Sequence, residues 1–129
     1  MEPSAELRQT LVDLYAAMSS GSAEAVEAFY SLQAGSIFMG TDEAEFWTDS
    51  AKHNHDVRPF FDGSYGPTIW LAGDAHAFVE GDVGWTVDRP TLLFGGETYR
   101  LRVSLVWHRE VGAWRVVHSH ASIGAPRPE

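Results

Sequence analysis

Thr98-Tyr-Arg-Leu-Arg-Val-Ser-Leu-Val-Trp-His-Arg-Glu-Val-Gly-Ala-Trp-Arg-Val-Val-His-Ser-His-Ala-Ser-Ile123 reads as two long strands joined by a tight turn. In the first, Tyr99, Leu101, Val103, Leu105 and Trp107 alternate with Arg100, Arg102, Ser104, Val106 and His108, the period of two that marks a strand with one buried face. The turn is Arg109-Glu110-Val111-Gly112, where Gly112 can take the positive φ that a short hairpin loop demands. Trp114 to Ile123 forms the returning strand.

Working outward, the chain of 129 residues is 44% apolar, the size of one domain and large enough for a core without staples. Cysteine is absent, so neither a disulfide framework nor a thiolate site can form. A formal charge of −9 repels phosphate backbones and acidic lipid, which argues against nucleic acid and membrane partners. No apolar stretch approaches the ~18 residues that span a bilayer, and no basic segment followed by an apolar run stands at Met1. A cytoplasmic protein is therefore expected.

Leu7, Leu11, Leu14, Tyr15 and Met18 fall at helical spacing behind Ser4, a plausible N-cap, and Ser19-Ser20-Gly21 stops the run. Ser22 can cap a second, short helix with Val26, Phe29 and Tyr30 on one face. Ser36 to Gly40 reads as a short strand. Thr48 or Asp49 can cap a third helix ending about Phe60, with Pro59 marking its fraying end. Thr68 to Ala72, a Gly73-Asp74 turn and Ala75 to Val87 read as a hairpin, and Gly81 and Gly84 suggest a bulge in its second strand. Gly95-Gly96 leads into the long strand. The predicted fold is α+β: a cone-shaped, curved antiparallel or mixed sheet with three N-terminal helices over its concave face. Residues 1–123 make one domain and 124–129 a loose tail.

Val106-Trp107-His108-Arg109, the turn ending in Gly112, Trp114 to Ser122 and Gly124-Ala125-Pro126 resemble the C-terminal hairpin of the association (hub) domain of calcium/calmodulin-dependent protein kinase type II. The hairpin is similar too to the SnoaL-like proteins of the nuclear transport factor 2 superfamily, which includes ketosteroid isomerase. Gly40-Thr41-Asp42 with Glu45 and Trp47 resembles a segment common in SnoaL-like relatives. The resemblance implies a pocket between sheet and helices. No kinase domain is expected with this stretch, so the hub's scaffolding role does not transfer as it stands.

Pocket arginines of the hub domain match Leu105 and Ala121 here, with a third near Gly84 or Trp85. That correspondence implies that Val117, Ser119 and Ala121 face the cavity. His118, His120 and Ser122 then face the convex side, where relatives pack as homodimers. It also implies that the cationic pocket is lost. Apolar and aromatic groups replace it: Leu101, Val103, Leu105 and Trp85 on the sheet, with Tyr15, Phe46, Trp47 and Phe60 from the helical side. Such a cavity suits a small hydrophobic molecule, though the same pattern fits a filled core.

His118 and His120, alternate on one strand with Cα atoms roughly 6.5–7 Å apart, could hold a metal or act as acid and base. A third ligand would have to come from His53, His55, His76 or His108; no metal or other cofactor is expected. His53 and His55 project about 200° apart on a helix and cannot share one ion, whereas Asp49 and His53 share a face. The resemblance to ketosteroid isomerase implies Asp42 as a general base and Tyr15 as an oxyanion donor, against a capping or loop role for Asp42. Three functions remain open: a carrier of an apolar or polycyclic metabolite, an isomerase, cyclase or dehydratase using Asp42, and a structural association module.

Overall fold

The computed structural model describes residues 1–128. Three helices form where the caps predict: α1 (Ala5–Met18), α2 (Ala23–Glu27) and α3 (Ser50–Phe61). Ser4 Oγ accepts from the Leu7 amide (3.0 Å), Ser22 Oγ from Ala25 (3.2 Å) and Asp49 Oδ1 from Lys52 (2.9 Å). Each bond satisfies an amide that the first turn leaves without a partner. No helix among the described residues is long and apolar enough to cross a membrane.

The strands are β1 (Glu2–Pro3), β2 (Ile37–Met39), β3 (Phe46–Trp47), β4 (Thr68–Leu71), β5 (His76–Glu80), β6 (Val83–Asp88), β7 (Thr91–Phe94), β8 (Glu97–Glu110) and β9 (Ala113–Ile123). They form one mixed sheet in the order β1-β5-β6-β8-β9-β2-β3, with β7 on the first part of β8 and β4 beyond it. All pairings between these strands are antiparallel except β2 with β9. The architecture is the expected α+β cone. At 14 residues, β8 is long enough to pair with β7 through Glu97–Arg100 and with β6 through Val103–His108.

Three sequence expectations change. Gly81-Asp82 is the two-residue turn between β5 and β6, with Glu80 opposite Val83, so no bulge forms there. β4 pairs with β7 and not with β5; β7, a short segment between Pro90 and the Gly95-Gly96 turn, had not been read as a strand. The bulge lies instead in β9. Val106 faces His118 and Trp107 faces Val116, which leaves Val117 unmatched. One extra residue reverses the alternation. Trp114 and Val116 are therefore inward before the bulge, at 4% and 0% exposed, while Ser119 and Ala121 take the inward side after it. Val117, expected in the cavity, is not among the residues lining it.

The core joins Leu7, Leu11, Leu14 and Met18 of α1 to Trp107, Trp114 and Val116 of the long hairpin. Gly84 lets α1 lie close to the sheet, since a Cβ there would stand 2.6 Å from Leu7 Cδ2 and 2.9 Å from the Phe78 carbonyl oxygen. The buried Trp107 indole donates to Thr86 Oγ1 at 3.0 Å on the neighbouring strand. Regular structure ends at Ile123, where the predicted tail begins; its last residue, Glu129, lies outside the described residues.

The β8–β9 loop is Val111-Gly112, with φ of 49° and 78°. Two positive φ values define the turn that matches strand twist, but a β-branched residue is disfavoured in that region. Val111 is fully exposed, so its side chain gains no packing in return. Val111→Asn is expected to raise stability by about 1 kcal/mol, read as a higher urea midpoint with an unchanged slope.

Candidate functional site: an aromatic cavity in the cone

A cavity of about 470 Å³ lies between the helices and the concave side of the sheet. Its sheet wall carries Tyr99, Leu101, Val103 and Leu105 of β8 and Ser119, Ala121 and Ile123 of β9. Trp70 of β4 and Leu92 and Phe94 of β7 extend this wall. Opposite stand Leu14, Tyr15 and Met18 of α1 and His53, Asp56, Val57, Phe60 and Phe61 of α3, with Tyr30, Glu45, Trp47 and Tyr65 from the intervening segments. Two of the lining residues carry carboxylates and none is a lysine or arginine.

The cavity contains most of the predicted pocket residues: Tyr15, Trp47, Phe60, Leu101, Val103, Leu105, Ser119 and Ala121. Phe46 and Trp85 are outside it. Phe46 sits on the two-residue edge strand β3 and is 56% exposed, because only its neighbour Trp47 turns inward. Trp85 shares the outer face of β6 with Val83 and Val87 and stacks on Phe78 with centroids 5.8 Å apart. Parity decides this: Gly84, Thr86 and Asp88 are the buried residues of that strand.

Asp42 does not reach the cavity. It is exposed in a tight loop, where Oδ1 accepts from the Ala44 amide at 2.8 Å. This is the loop role, and the carboxylate is absent from the wall where a general base would stand. Tyr15 does line the cavity, but its hydroxyl donates to Asp88 Oδ2 at 2.9 Å. Burial, then the Asp88 carboxylate, push the phenol pKa up, so its single proton stays committed to that bond. The two groups do not converge.

Asp88, 1% exposed, was not anticipated. Besides Tyr15 it accepts from the backbone amides of Asp74 (2.6 Å) and Arg89 (2.7 Å) and from Gly73 (3.2 Å). It thereby ties the β4–β5 loop to α1. Its signal in the sequence was parity, since Asp88 shares the face of Gly84 and Thr86.

His53, paired with Asp49 on one face of α3 in the sequence, is a cavity residue rather than part of a solvated pair. It is 6% exposed, with ring centroids 4.4 Å from Phe38 and 5.0 Å from both Tyr30 and Trp47. Nδ1 meets Asn54 Oδ1 at 3.0 Å. An amide oxygen only accepts, so Nδ1 carries the proton and Nε2 keeps its lone pair. Burial lowers the pKa, while Asn54, Asp56 and Glu45 oppose that shift less strongly. The imidazole is neutral at pH 7. The helical spacing of His53, Val57 and Phe61, all on one side of α3, was the available signal. Asp49 shares that side but is spent as the N-cap.

On the rim, Asp56 Oδ2 accepts from the Trp47 indole (2.9 Å) and Lys52 Nζ (2.9 Å), and Oδ1 lies 3.4 Å from His55. The indole, then Lys52 and His55, hold its carboxyl down at about 2. Trp70 stacks on Tyr15 at 6.0 Å, and its buried indole N–H has no partner among the described residues.

His118, His120 and Ser122 lie off the cavity. The half-buried His118 donates from Nδ1 to the Ile37 carbonyl at 2.8 Å, His120 is exposed, and Ser122 Oγ accepts from Arg102 Nε at 3.3 Å. Among the described residues no three side chains of His, Asp or Glu come together as a metal site requires.

A model of the SnoaL-like domain matches residues 7–126. Among solved structures, an NTF2-like protein of unknown function from Pseudomonas putida superposes with a TM-score of 0.79 at 16% identity, covering 92% of this chain and 84% of that one. A Streptomyces avermitilis protein of the NTF2-like family, provisionally called a dehydratase, gives 0.79 at 17% identity over 93% of both chains. A Thiobacillus denitrificans protein, provisionally called a calcium/calmodulin-dependent protein kinase type II association domain, gives 0.72 at 20% identity over 97% and 98%. At these identities the likeness is one of fold. No curated protein matches the chain.

The lowered His53 pKa has a consequence for stability. Below the ordinary value of 6.5 the unfolded chain binds a proton that the folded imidazole resists. Stability should therefore fall as pH drops from about 6.5 toward the lowered folded value, and His53 adds no further loss beneath it. Urea titrations from pH 7.5 to 5 should show this slope in the wild type. In His53→Phe that part of the slope should be gone.

Proposed function

The chain belongs to the SnoaL-like domain family, and on that premise we propose that its cone holds a small, largely apolar molecule with a flat ring system. The observation that carries this reading is the wall itself: a cavity of about 470 Å³ whose rings include Tyr30, Trp47, Phe60, Trp70, Phe94 and Tyr99. Aromatic faces contribute most when they stack offset or edge-on against another ring. Leu101, Val103 and Leu105 supply a smooth apolar floor, which suits ligands that leave water mainly through loss of apolar surface. Thr41, Glu45, His53, Asp56 and Ser119 are among the few polar side chains of the wall. An isomerase or dehydratase mechanism based on Asp42 receives no support, because that carboxylate is outside the wall.

The convex face supports a second copy of the chain as partner. Phe78, Trp85, Val106, His118 and Ile37 are neighbours in register across β5, β6, β8, β9 and β2. Val83 and Val87 beside them are 45% and 46% exposed. An apolar stripe of this kind is costly to leave in water and is buried by a self-complementary, two-fold contact. His118, His120 and Ser122 would then lie within or beside that contact.

Binding is tested with 1-pyrenemethanol, a neutral flat probe. At a hundredfold excess over Kd it should stabilise the protein by about 2.7 kcal/mol, seen as a rise in Tm. Ala121→Trp should plug the cavity and lose the shift while keeping its own Tm near the wild type. No shift with this probe or with related polycyclic alcohols would overturn the reading. For the partner, light scattering should give twice the chain mass, and Val106→Arg should halve it without unfolding the protein. A wild-type monomer would exclude self-association.

A further inference from the structure

We infer that the preferred occupant of this cavity is an organic cation, a flat apolar body bearing a protonated amine seated against His53, Glu45 and Trp47. The inference rests on the binding reading above and narrows it to a class of ligand.

Charge is the first argument. The wall's carboxylates belong to Glu45 and Asp56, and it carries no lysine or arginine. Asp56 is engaged by Lys52 and by the Trp47 indole. Among the described residues Glu45 has no cationic partner: Oε1 accepts from the Asp42 amide at 2.7 Å. It is half-buried, so its field is screened less than that of a surface charge. An anionic ligand would enter this field with no guanidinium or ammonium group to receive it.

Hydrogen bonding is the second argument, and it is independent of the first. His53 is 94% removed from solvent and lines the cavity. Its Nδ1–H is spent on Asn54, and Nε2 has no partner among the described residues. That nitrogen is not sealed off by protein and is open to accept from a ligand in the cavity. A ligand N–H would supply that bond. A carboxylate, which brings no donor, would not.

The surrounding rings complete the fit. Tyr30 and Trp47 lie at centroid distances of 5.0 Å from His53, so a cation seated there is near aromatic rings, whose faces attract positive charge. The net charge of −9 adds long-range attraction for the same class. Geometry, hydrogen bonding and charge thus select against fatty acids, acyl phosphates and other anions.

The test uses three probes with one body: 1-pyrenylmethylammonium, 1-pyrenemethanol and 1-pyrenecarboxylate, titrated against the full chain at pH 7.5 and followed by tryptophan quenching and calorimetry. The ammonium should bind at least about tenfold tighter than the alcohol, with the carboxylate weakest. Glu45→Gln should shrink the ammonium's preference over the alcohol several-fold, and His53→Phe should weaken the ammonium and the alcohol, the two probes that bring a donor, relative to the carboxylate. Asp13→Asn, which removes one unit of negative charge on the exposed side of α1, should leave the preference intact. That separates local recognition from net charge. Alcohol binding without an ammonium preference would overturn this inference alone, as would a preference that Asp13→Asn reduces as much as Glu45→Gln. Failure of all three probes would overturn the binding reading with it.

Discussion

The pairing of β8 with β9, interrupted once at Val117, sets the inside and outside of this molecule. Before the bulge, Trp107, Trp114 and Val116 are stacked inward and make a dry core with α1. After it, the same face continues as Leu105, Val103 and Leu101 beside Ser119 and Ala121. The bulky residues thus fill one end of the cone, and smaller residues on β9 leave space at the other. A bulge sharpens the local bend of a strand, so the change of phase and the change of curvature come from one inserted residue. The cavity begins where the packing changes.

Polar groups within the cone fall into two kinds. Asp88 is saturated: it accepts a phenol and several backbone amides, and its function is to hold the β4–β5 loop against α1. Tyr15 is thereby taken out of play as a donor. His53 is the opposite case, packed between Phe38, Tyr30 and Trp47, with one nitrogen satisfied and the other facing no protein partner. Full satisfaction rigidifies, whereas a ring nitrogen left open to the cavity is available to a ligand's donor. The contrast separates a structural acid from a recognition residue, although both are buried and titratable.

Much of this architecture is legible in the residues because it rests on local rules. Ser4, Ser22 and Asp49 announce helix starts, since a side-chain oxygen at that position satisfies an amide the helix cannot. The alternation from Tyr99 to Trp107 announces β8. β7 is harder to read, because Thr91–Phe94 holds only four residues with no polar alternation, and its existence depends on β4 and β8 arriving on either side. Asp42 shows the limit of transferring a role by position. Its loop folds back through Glu45, whose carboxylate accepts the Asp42 amide, and the aspartate is left in water.

The residues alone pointed to three helices, the long hairpin and the anionic balance of the chain, because each depends on side-chain chemistry or on neighbours within a few positions; the loss of a cationic pocket was implied by the resemblance. Whether Trp85, Phe46 and His53 stand inside or outside depended on the assembled sheet. A strand's parity has no absolute sign until its partners are known, and a single bulge reverses it. His53 became a cavity residue only when α3 was laid against Tyr30 and Phe38, segments that precede it in the chain and meet it only in the folded cone.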